Sequence, residues 1–295
     1  MLHHQPTEQW TLAKADDMTD LRGRRRLVAI AYRLTGSRSD AEDVVQDALL
    51  RWLREDRGDI HSPEAYLTRT VVNLSFNQLR DRRGRNYPGE WLPEPIADDE
   101  IEKFERLEDI SYAFLALLER LTPLQRAVFV MRSAFDCSYS EIAAIVGAEE
   151  AACRKTFSRA RNAMSGAKPR RDIGREEHRR LLEGFLAAAA GGDINALASL
   201  LASDVEMRGD GGPNGPALKK PLVGADAVAR FVIASRTLLP VGVLVSVDGL
   251  NGTPAAVFRG GGRTVLAILI ETDGSRISRI FALANPQKLA RAGSA

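Results

Sequence analysis

The sequence predicts a multidomain fold in which two all-α domains are followed by an α+β domain. Three observations lead there. Apolar residues recur at helical spacing, between capping residues, from about residue 17 to 165. Strand-like apolar runs appear only after about residue 240, and helices first with strands later marks an α+β domain. All five tyrosines (Tyr32, Tyr66, Tyr87, Tyr112, Tyr139) and all three tryptophans (Trp10, Trp52, Trp91) precede residue 170, and no His, Tyr, Trp or Cys follows residue 178. The two parts of the chain therefore differ in chemistry.

Taken in order, Leu27, Ile30, Ala31 and Leu34 predict an amphipathic helix over about 17–35, closed by Gly36. Ser39-Asp40-Ala41-Glu42 has capping-box spacing, with Ser39 at the N-cap and Glu42 at N3. The helix it opens buries Val44, Val45, Ala48, Leu49 and Trp52. Ser62-Pro63 starts a third helix, 63–80, with proline at its first position. Helix resumes from Ile101 to Ser165, broken near Thr122-Pro123, Phe135–Tyr139 and Gly147, and Gly166 stops it. The charged segment GAKPRRDIGREEHRR suits a hinge. Beyond it come helices at about 176–190 and Asn195–Leu201, a Gly/Pro-rich loop (GDGGPNGP), and a helix Ala225–Thr237. The strand-like runs VGVLVSV, AAVFRG, RTVLAILIE and SRISRIFALA complete the chain.

At 295 residues and 44% hydrophobic content the chain can bury more than one core. The net charge is only +2, so any nucleic-acid binding must come from local patches. No apolar run approaches the roughly 18–20 residues that span a bilayer. MLHHQPTEQW has no basic region leading into an apolar stretch and is not read as a signal peptide. Cys137 and Cys153 lie in apolar helical patterns at a spacing that fits no metal motif, and are expected to be buried structural thiols. The expectation is a protein of the reducing cytoplasm, not attached to a membrane, needing no metal or cofactor.

The strongest local motif is SYSEIAAIVGAEEAACRKTFSRARNA, 138–163. Ser138-x-x-Glu141 is a capping box, Ala143 is small enough for two helices to touch, and Gly147 permits a tight turn. The next helix has an inner face of Ala152, Cys153, Thr156, Phe157 and Ala160, and an outer face of Arg154, Lys155, Ser158, Arg159 and Arg161. That is helix-turn-helix geometry, with the second helix free to enter a major groove. The plainer alternative is an αα-hairpin with a solvated basic face.

A second motif, AYLTRTVVNLSFNQLRDRRGR at 65–85, interleaves Arg69, Arg80, Arg82, Arg83 and Arg85 with Tyr66, Phe76 and Asn73. Arginines hold phosphates, aromatics stack unpaired bases, and an amide reads a base edge, so the mixture suits DNA that is being opened. A solvated basic helix with a buried tyrosine is the competing reading. In the third motif, DAEDVVQDALLRW at 40–52, Glu42, Asp43, Gln46 and Asp47 form an acidic stripe. Alone it reads as a solvated face; on a DNA-binding protein it repels phosphate and must face a basic protein partner or solvent.

In this order and spacing, the motifs closely resemble the bacterial extracytoplasmic-function sigma factors over residues 17–168. The resemblance implies region 2 at 17–85, an acidic linker at 86–106, and a helix-turn-helix region 4 at 107–168, after a tail at 1–16. It implies that Glu42, Asp43, Gln46 and Asp47 dock on the β′ clamp helices of core RNA polymerase, with region 4 near the β flap. Tyr66, Arg69, Asn73, Arg80, Arg82 and Arg83 would open and read the −10 element, Asn73 lining a pocket for a flipped base whose other wall is loop 57–61. Arg154, Lys155, Ser158 and Arg159 would read the −35 element. The linker would thread near the polymerase active-site cleft.

The remainder narrows the resemblance. WLPEP in the linker, Asp210-Gly211-Gly212, and Asn285-Pro286-Gln287-Lys288-Leu289 look like the motif trio of the sigma-J-like branch, whose members carry a fused SnoaL-like domain of the NTF2 superfamily, here 178–290 after a hinge at 169–177. The chain departs from the trio at Pro213-Asn214, and at Gln287 where Asp is usual. NTF2-like cones often house enzymes needing a base and an enolate-stabilising donor. Asp204, Glu206, Asp210 and Glu271 are candidate bases, but with no Tyr, His or Trp the donors are poor, and no catalysis is expected. Proline fixes φ and extends its predecessor, so Trp91, Leu92, Pro93, Glu94 and Pro95 form a stiff apolar ligand that loses little entropy on docking. The expectation is that this patch docks near Asp210–Gly212 and Asn285–Leu289, regulating the sigma regions in cis so that no separate anti-sigma protein would be required. Packing of WLPEP on neighbouring helices is the alternative. For the whole chain, the alternatives are a stand-alone helix-turn-helix regulator with a ligand-binding domain, and an NTF2-like enzyme with a DNA-binding appendage.

Overall fold

The computed structural model describes residues 21–55, 60, 62–83, 87, 89–101, 111–165, 173–213, 215, 218, 220–290 and 292, with the side chains of Leu21, Arg22 and Arg83 excepted. The predicted pocket wall at 57–61 lies outside these residues apart from Ile60. The chain forms two compact units. The described residues of the first fall within Met1–Arg85 and Leu117–Gly166, and those of the second within Asn86–Ile101, Glu108–Ala116 and Ala167–Ala295.

The first unit is all helical: α1 Leu21–Thr35, α2 Arg38–Arg54, α3 Pro63–Arg83, α6 Pro123–Ala134, α7 Tyr139–Val146 and α8 Glu150–Met164. Between them in sequence lie α4, Asp98–Ile101, and α5, Tyr112–Leu118, a helix divided between the two units. Leu27, Ile30, Ala31 and Leu34 of α1 are buried with Val44, Val45, Ala48 and Trp52 of α2 and Leu67, Val71 and Leu79 of α3. The cap of α2 is Ser37, not Ser39: its side chain accepts from the Asp40 amide at 3.3 Å. Gly36, at φ +67°, reverses the chain within one residue, so helix restarts at Arg38 and Ser39 falls inside the first turn. Glu42 pairs with Arg38 (3.0 Å) instead of closing a box.

The helix-turn-helix forms as its residues predict. Ser138 and Glu141 make the capping box, and Gly147 ends α7 in the left-handed region at φ +69°. Hydrogen bonds from Ser138 hold the Glu141 carboxyl below its ordinary value. This cap therefore contributes fully above the ordinary glutamate range and is lost as pH falls from that range through the lowered value of the folded state. An added Cβ at Gly147 meets nothing within 4 Å, so Gly147→Ala tests backbone strain alone. It should cost about 1 kcal/mol in thermal unfolding, while Gly147→Asn, which tolerates this conformation better, should cost less. A second capping box, Thr122 with Gln125, starts α6 after a proline at N1. In α8 Cys153 and Ala160 are buried as predicted, but Ala152 is exposed, and Met164 completes the inner face. Burial pushes the Cys153 and Cys137 thiols up, with Glu150 and Glu141 adding to the effect.

The second unit is α+β, with α9 Arg175–Gly191, α10 Ile194–Leu200, β1 Leu201–Asp210, β2 Leu222–Val223, α11 Ala225–Ser235, β3 Leu244–Leu250, β4 Thr253–Gly260, β5 Arg263–Thr272, β6 Ile277–Leu283 and α12 Pro286–Leu289. The six strands run β2-β1-β6-β5-β4-β3, antiparallel except for the β1–β6 pair. Strand β1 was not predicted, because its polar face (Glu206, Arg208, Asp210) hides the alternation carried by Val205 and Met207. Residues 256, 258, 268, 270 and 280 face a core built with Leu182, Phe185 and Leu197 of the unit's own helices and with Val228 of α11. Residues 255, 257, 267, 269 and 281 face the other way, and that face is closed by Leu92 and Ala97 of the linker and by Tyr112 and Ala113. No helix among the described residues is long and apolar enough to cross a membrane.

Candidate functional site

On α2, burial of Ala41, Val44, Val45, Ala48 and Trp52 leaves the opposite face to solvent. Asp43, Gln46 and Asp47 are exposed there, while Glu42 is half-buried beside Arg38. The stripe continues at the same helical spacing into two exposed leucines, Leu50 and Leu53, the latter 65% exposed. Sequence reasoning missed these two, although the i+3/i+4 steps from Gln46 and Asp47 to Leu50, and from Leu50 to Leu53, were there to be read. Exposed leucines beside carboxylates make a surface that fits a partner with both apolar and basic groups.

On α3, Arg69, Asn73, Asn77 and Arg80 are exposed along one face. Tyr66 is half-buried, its ring 5.5 Å from that of Trp52. Arg82 is not on this face: it donates to the Thr35 carbonyl (2.5 Å) and to Glu119 (2.8 Å). The Arg83 side chain lies outside the described residues. On α8, Arg154, Lys155, Ser158 and Arg159 are all exposed, and the Arg154 guanidinium lies 4.7 Å over the Tyr139 ring while pairing with Glu150.

The second unit gathers its motif residues around Asp210, which is 1% exposed at the end of β1. Alternation along β1 turns Arg208 and Asp210 to the linker side of the sheet. The Asp210 carboxylate accepts from the Tyr87 hydroxyl (2.5 Å), the Leu92 amide (2.9 Å), the Gly212 amide (2.9 Å) and the Lys288 ammonium (2.6 Å). Lys288 also donates to the Leu92 carbonyl and lies 3.5 Å over the Trp91 ring. Asn285 caps α12 through the Gln287 amide and donates to the Tyr87 hydroxyl (3.0 Å). Gly212, at φ +75°, has no room for a side chain, since a Cβ there would stand 2.9 Å from Asn285. Pro93, Glu94, Pro95, Gly211 and Leu289 are buried, and Pro286 is exposed. Both departures from the motif trio spare this centre: Pro213 and Gln287 are exposed, and Asn214 lies outside the described residues.

The linker is fastened further along as well. Arg208 pairs with Glu90 (2.8 Å), and the Ile96 amide donates to Asn251 (3.0 Å), whose own amide donates to the Ile96 carbonyl (2.7 Å). Asp98 accepts from the Gly252 amide (2.8 Å) and Arg175 (2.9 Å). None of Tyr87, Glu90, Asp98, Arg175, Arg208 or Asn251 stood out in the sequence, because each is a common residue made specific only by its partner.

Among the carboxylates weighed as bases, Asp210 is paired as above, Glu206 pairs with Arg208, and Glu271 pairs with Arg279 (2.8 Å). Asp204 is exposed. The donor inventory drawn from the sequence needs correcting: Tyr87, Trp91 and Tyr112 fall in this unit, with the Tyr87 hydroxyl on Asp210 and the Tyr112 hydroxyl on the Pro93 carbonyl (2.7 Å), and so does His178, buried on α9 on the side of the sheet away from the linker, with Nε2 3.1 Å from the Ile270 carbonyl. A carbonyl only accepts, so Nε2 carries the proton.

Comparison with known proteins places this geometry. Residues 21–85 match the family model Sigma-70 region 2, and residues 111–164 match Sigma-70, region 4. The chain is 35% identical to the ECF RNA polymerase sigma factor SigJ of Mycobacterium tuberculosis, over 90% of both chains. It is 26% identical to the probable ECF RNA polymerase sigma factor SigI of that organism, over 90% of this chain and 92% of the relative. The crystal structure of Mycobacterium tuberculosis SigJ resembles it with a TM-score of 0.71 at 31% identity, covering 93% of this chain and 97% of that one.

Proposed function

This chain belongs to the extracytoplasmic-function (ECF) RNA polymerase sigma factors, and on that premise we propose how its surfaces divide the work of starting transcription. As a sigma factor it is a promoter-specificity subunit, and family membership favours this over a stand-alone helix-turn-helix regulator. In our reading Asp43, Gln46 and Asp47, with Leu50 and Leu53 beyond them, dock on the β′ clamp helices, and Glu42 steadies the helix through Arg38. Arg69, Asn73 and Arg80 handle the −10 strand, with Tyr66 beside them, and Arg154, Lys155, Ser158 and Arg159 read the −35 element. The protein then works in the cytoplasm, where core polymerase and promoters are.

One observation carries this reading: an acidic, leucine-bearing face on α2 and two separate basic faces on α3 and α8 are all exposed. The acidic face repels DNA and invites a protein, and the basic faces do the reverse. The test is gel filtration of the full chain with purified core polymerase, followed by run-off transcription. We expect co-elution at low salt and promoter-dependent transcripts whose yield falls steeply as salt rises. A chain that elutes apart from core at low salt would sink the reading.

The second unit acts as the regulator in cis. The linker cannot lie on the sheet of this unit and also extend through the polymerase cleft, so the hold on Leu92 and Trp91 sets how often it is available. Because linker and sheet are on one chain, their effective concentration is high and a separate anti-sigma protein is not required. Ion pairing of Glu206, Asp210 and Glu271 supports a structural use of these carboxylates over a catalytic one.

A further inference from the structure

Arg82 stands apart from Arg69 and Arg80, the other arginines of α3 whose side chains are described. Arg69 and Arg80 are exposed, whereas Arg82 turns inward, with Nη1 on the Thr35 carbonyl (2.5 Å) and Nη2 on Glu119 Oε2 (2.8 Å). The other oxygen of Glu119 is 2.5 Å from Arg126 Nη2, a charge contact off the hydrogen-bonding direction. Arg126 is 1% exposed and donates from Nε to the Leu118 carbonyl (2.9 Å) and from Nη1 to the Leu34 carbonyl (2.6 Å). A single carboxylate, 18% exposed, thus lies between two guanidinium groups at the C-terminal end of α1, whose last carbonyls carry partial negative charge. Within the first unit, this seam ties the segment matched by region 2 to the segment matched by region 4.

We propose that Glu119 occupies the place of a DNA phosphate on Arg82, so that binding of a promoter strand and opening of this seam are one coupled event. The proposal rests on the assignment of α3 to DNA. A carboxylate and a phosphate are both oxyanions that accept charge-assisted hydrogen bonds from a guanidinium fork, so the exchange is chemically even. Arg82 cannot serve both at once. When a phosphate takes it, Glu119 loses its tie to the region 2 segment, and only the bond from Arg126 to the Leu34 carbonyl is left of the polar seam described above. Coupling of this kind is reciprocal: whatever separates the two segments, core polymerase included, raises the affinity of Arg82 for DNA by the same factor.

The test is fluorescence anisotropy of the full chain with a short, randomised, fluorescein-labelled single-stranded oligonucleotide across a salt series. Glu119→Gln should bind severalfold more tightly, with a log–log salt slope steeper by about 0.7, the increment for one more phosphate on single-stranded DNA. Arg82→Gln added to Glu119→Gln should cancel both changes. In the unaltered chain, saturating oligonucleotide should speed hydrogen exchange at residues 118–126, a readout that stands even if Glu119→Gln folds poorly. A folded Glu119→Gln chain with unchanged affinity and slope, or unaltered exchange at saturation, overturns the proposal. If Arg69→Gln and Arg80→Gln, made in a chain that keeps Glu119 and Arg82, leave oligonucleotide binding unchanged, the assignment of α3 to DNA is the part at fault, and the proposal falls with it.

Discussion

Asp43→Lys combined with Asp47→Lys should leave a folded protein that no longer joins core polymerase. Both positions are on the solvent face of α2, opposite Val44, Val45 and Ala48. Surface changes of this kind move stability by about 0.5 kcal/mol or less, and lysine is a better helix former than aspartate. Binding is another matter. Each substitution replaces an attractive charge with one that faces a basic partner, and like charges set against each other cost several kcal/mol, a loss of roughly hundredfold or more. Circular dichroism should match the unaltered chain, while co-elution with core is lost even at low salt. Retention of core binding by the doubly reversed chain would mean that α2 docks on nothing, and that the acidic face is merely solvated.

Lys288→Met should release the linker. The substitution keeps the length of the side chain and removes its charge, leaving the Asp210 carboxylate buried with no counter-ion among the partners described above. Breaking one side of a buried pair costs about 3–5 kcal/mol, because the remaining charge stays desolvated. Asp210→Asn should cost a similar amount for the mirror-image reason, stranding the ammonium under Trp91. The double variant should recover part of the loss, with an interaction energy of roughly 1–3 kcal/mol, since it leaves neither charge behind. Hydrogen exchange at the Leu92 and Ile96 amides reports the effect directly, because their acceptors are Asp210 and Asn251. Exchange should accelerate about a hundredfold or more in each single variant, and less in the double. Additive losses across the cycle would show that Lys288 and Asp210 do not act as a pair, and unchanged transcription from core polymerase would separate the hold on the linker from regulation.

Much of this protein can be read from spacing. The capping box at Ser138 and Glu141, the left-handed Gly147, and the outer arginines of α8 depend on residues within one or two helical turns, and the folded chain keeps all of them. Where local signals compete, spacing misleads: Ser39 fits a capping box on paper, but Gly36 turns the chain sooner and Ser37 takes the role. Strand β1 escaped notice because its charged face answers to the linker, more than a hundred residues earlier in the chain, and not to solvent.

What local spacing cannot supply is the identity of a side chain's distant partner. Arg82 is one arginine in the run RDRRGR until folding sets Thr35 and Glu119 beside it. Asp210 is one carboxylate among several until Tyr87, Leu92 and Lys288 close over it. Helix caps and amphipathic faces are decided by near neighbours and so are legible in one dimension. The pairing of buried charges is decided by which desolvated groups come to lie together, and that depends on the packing of elements far apart along the chain.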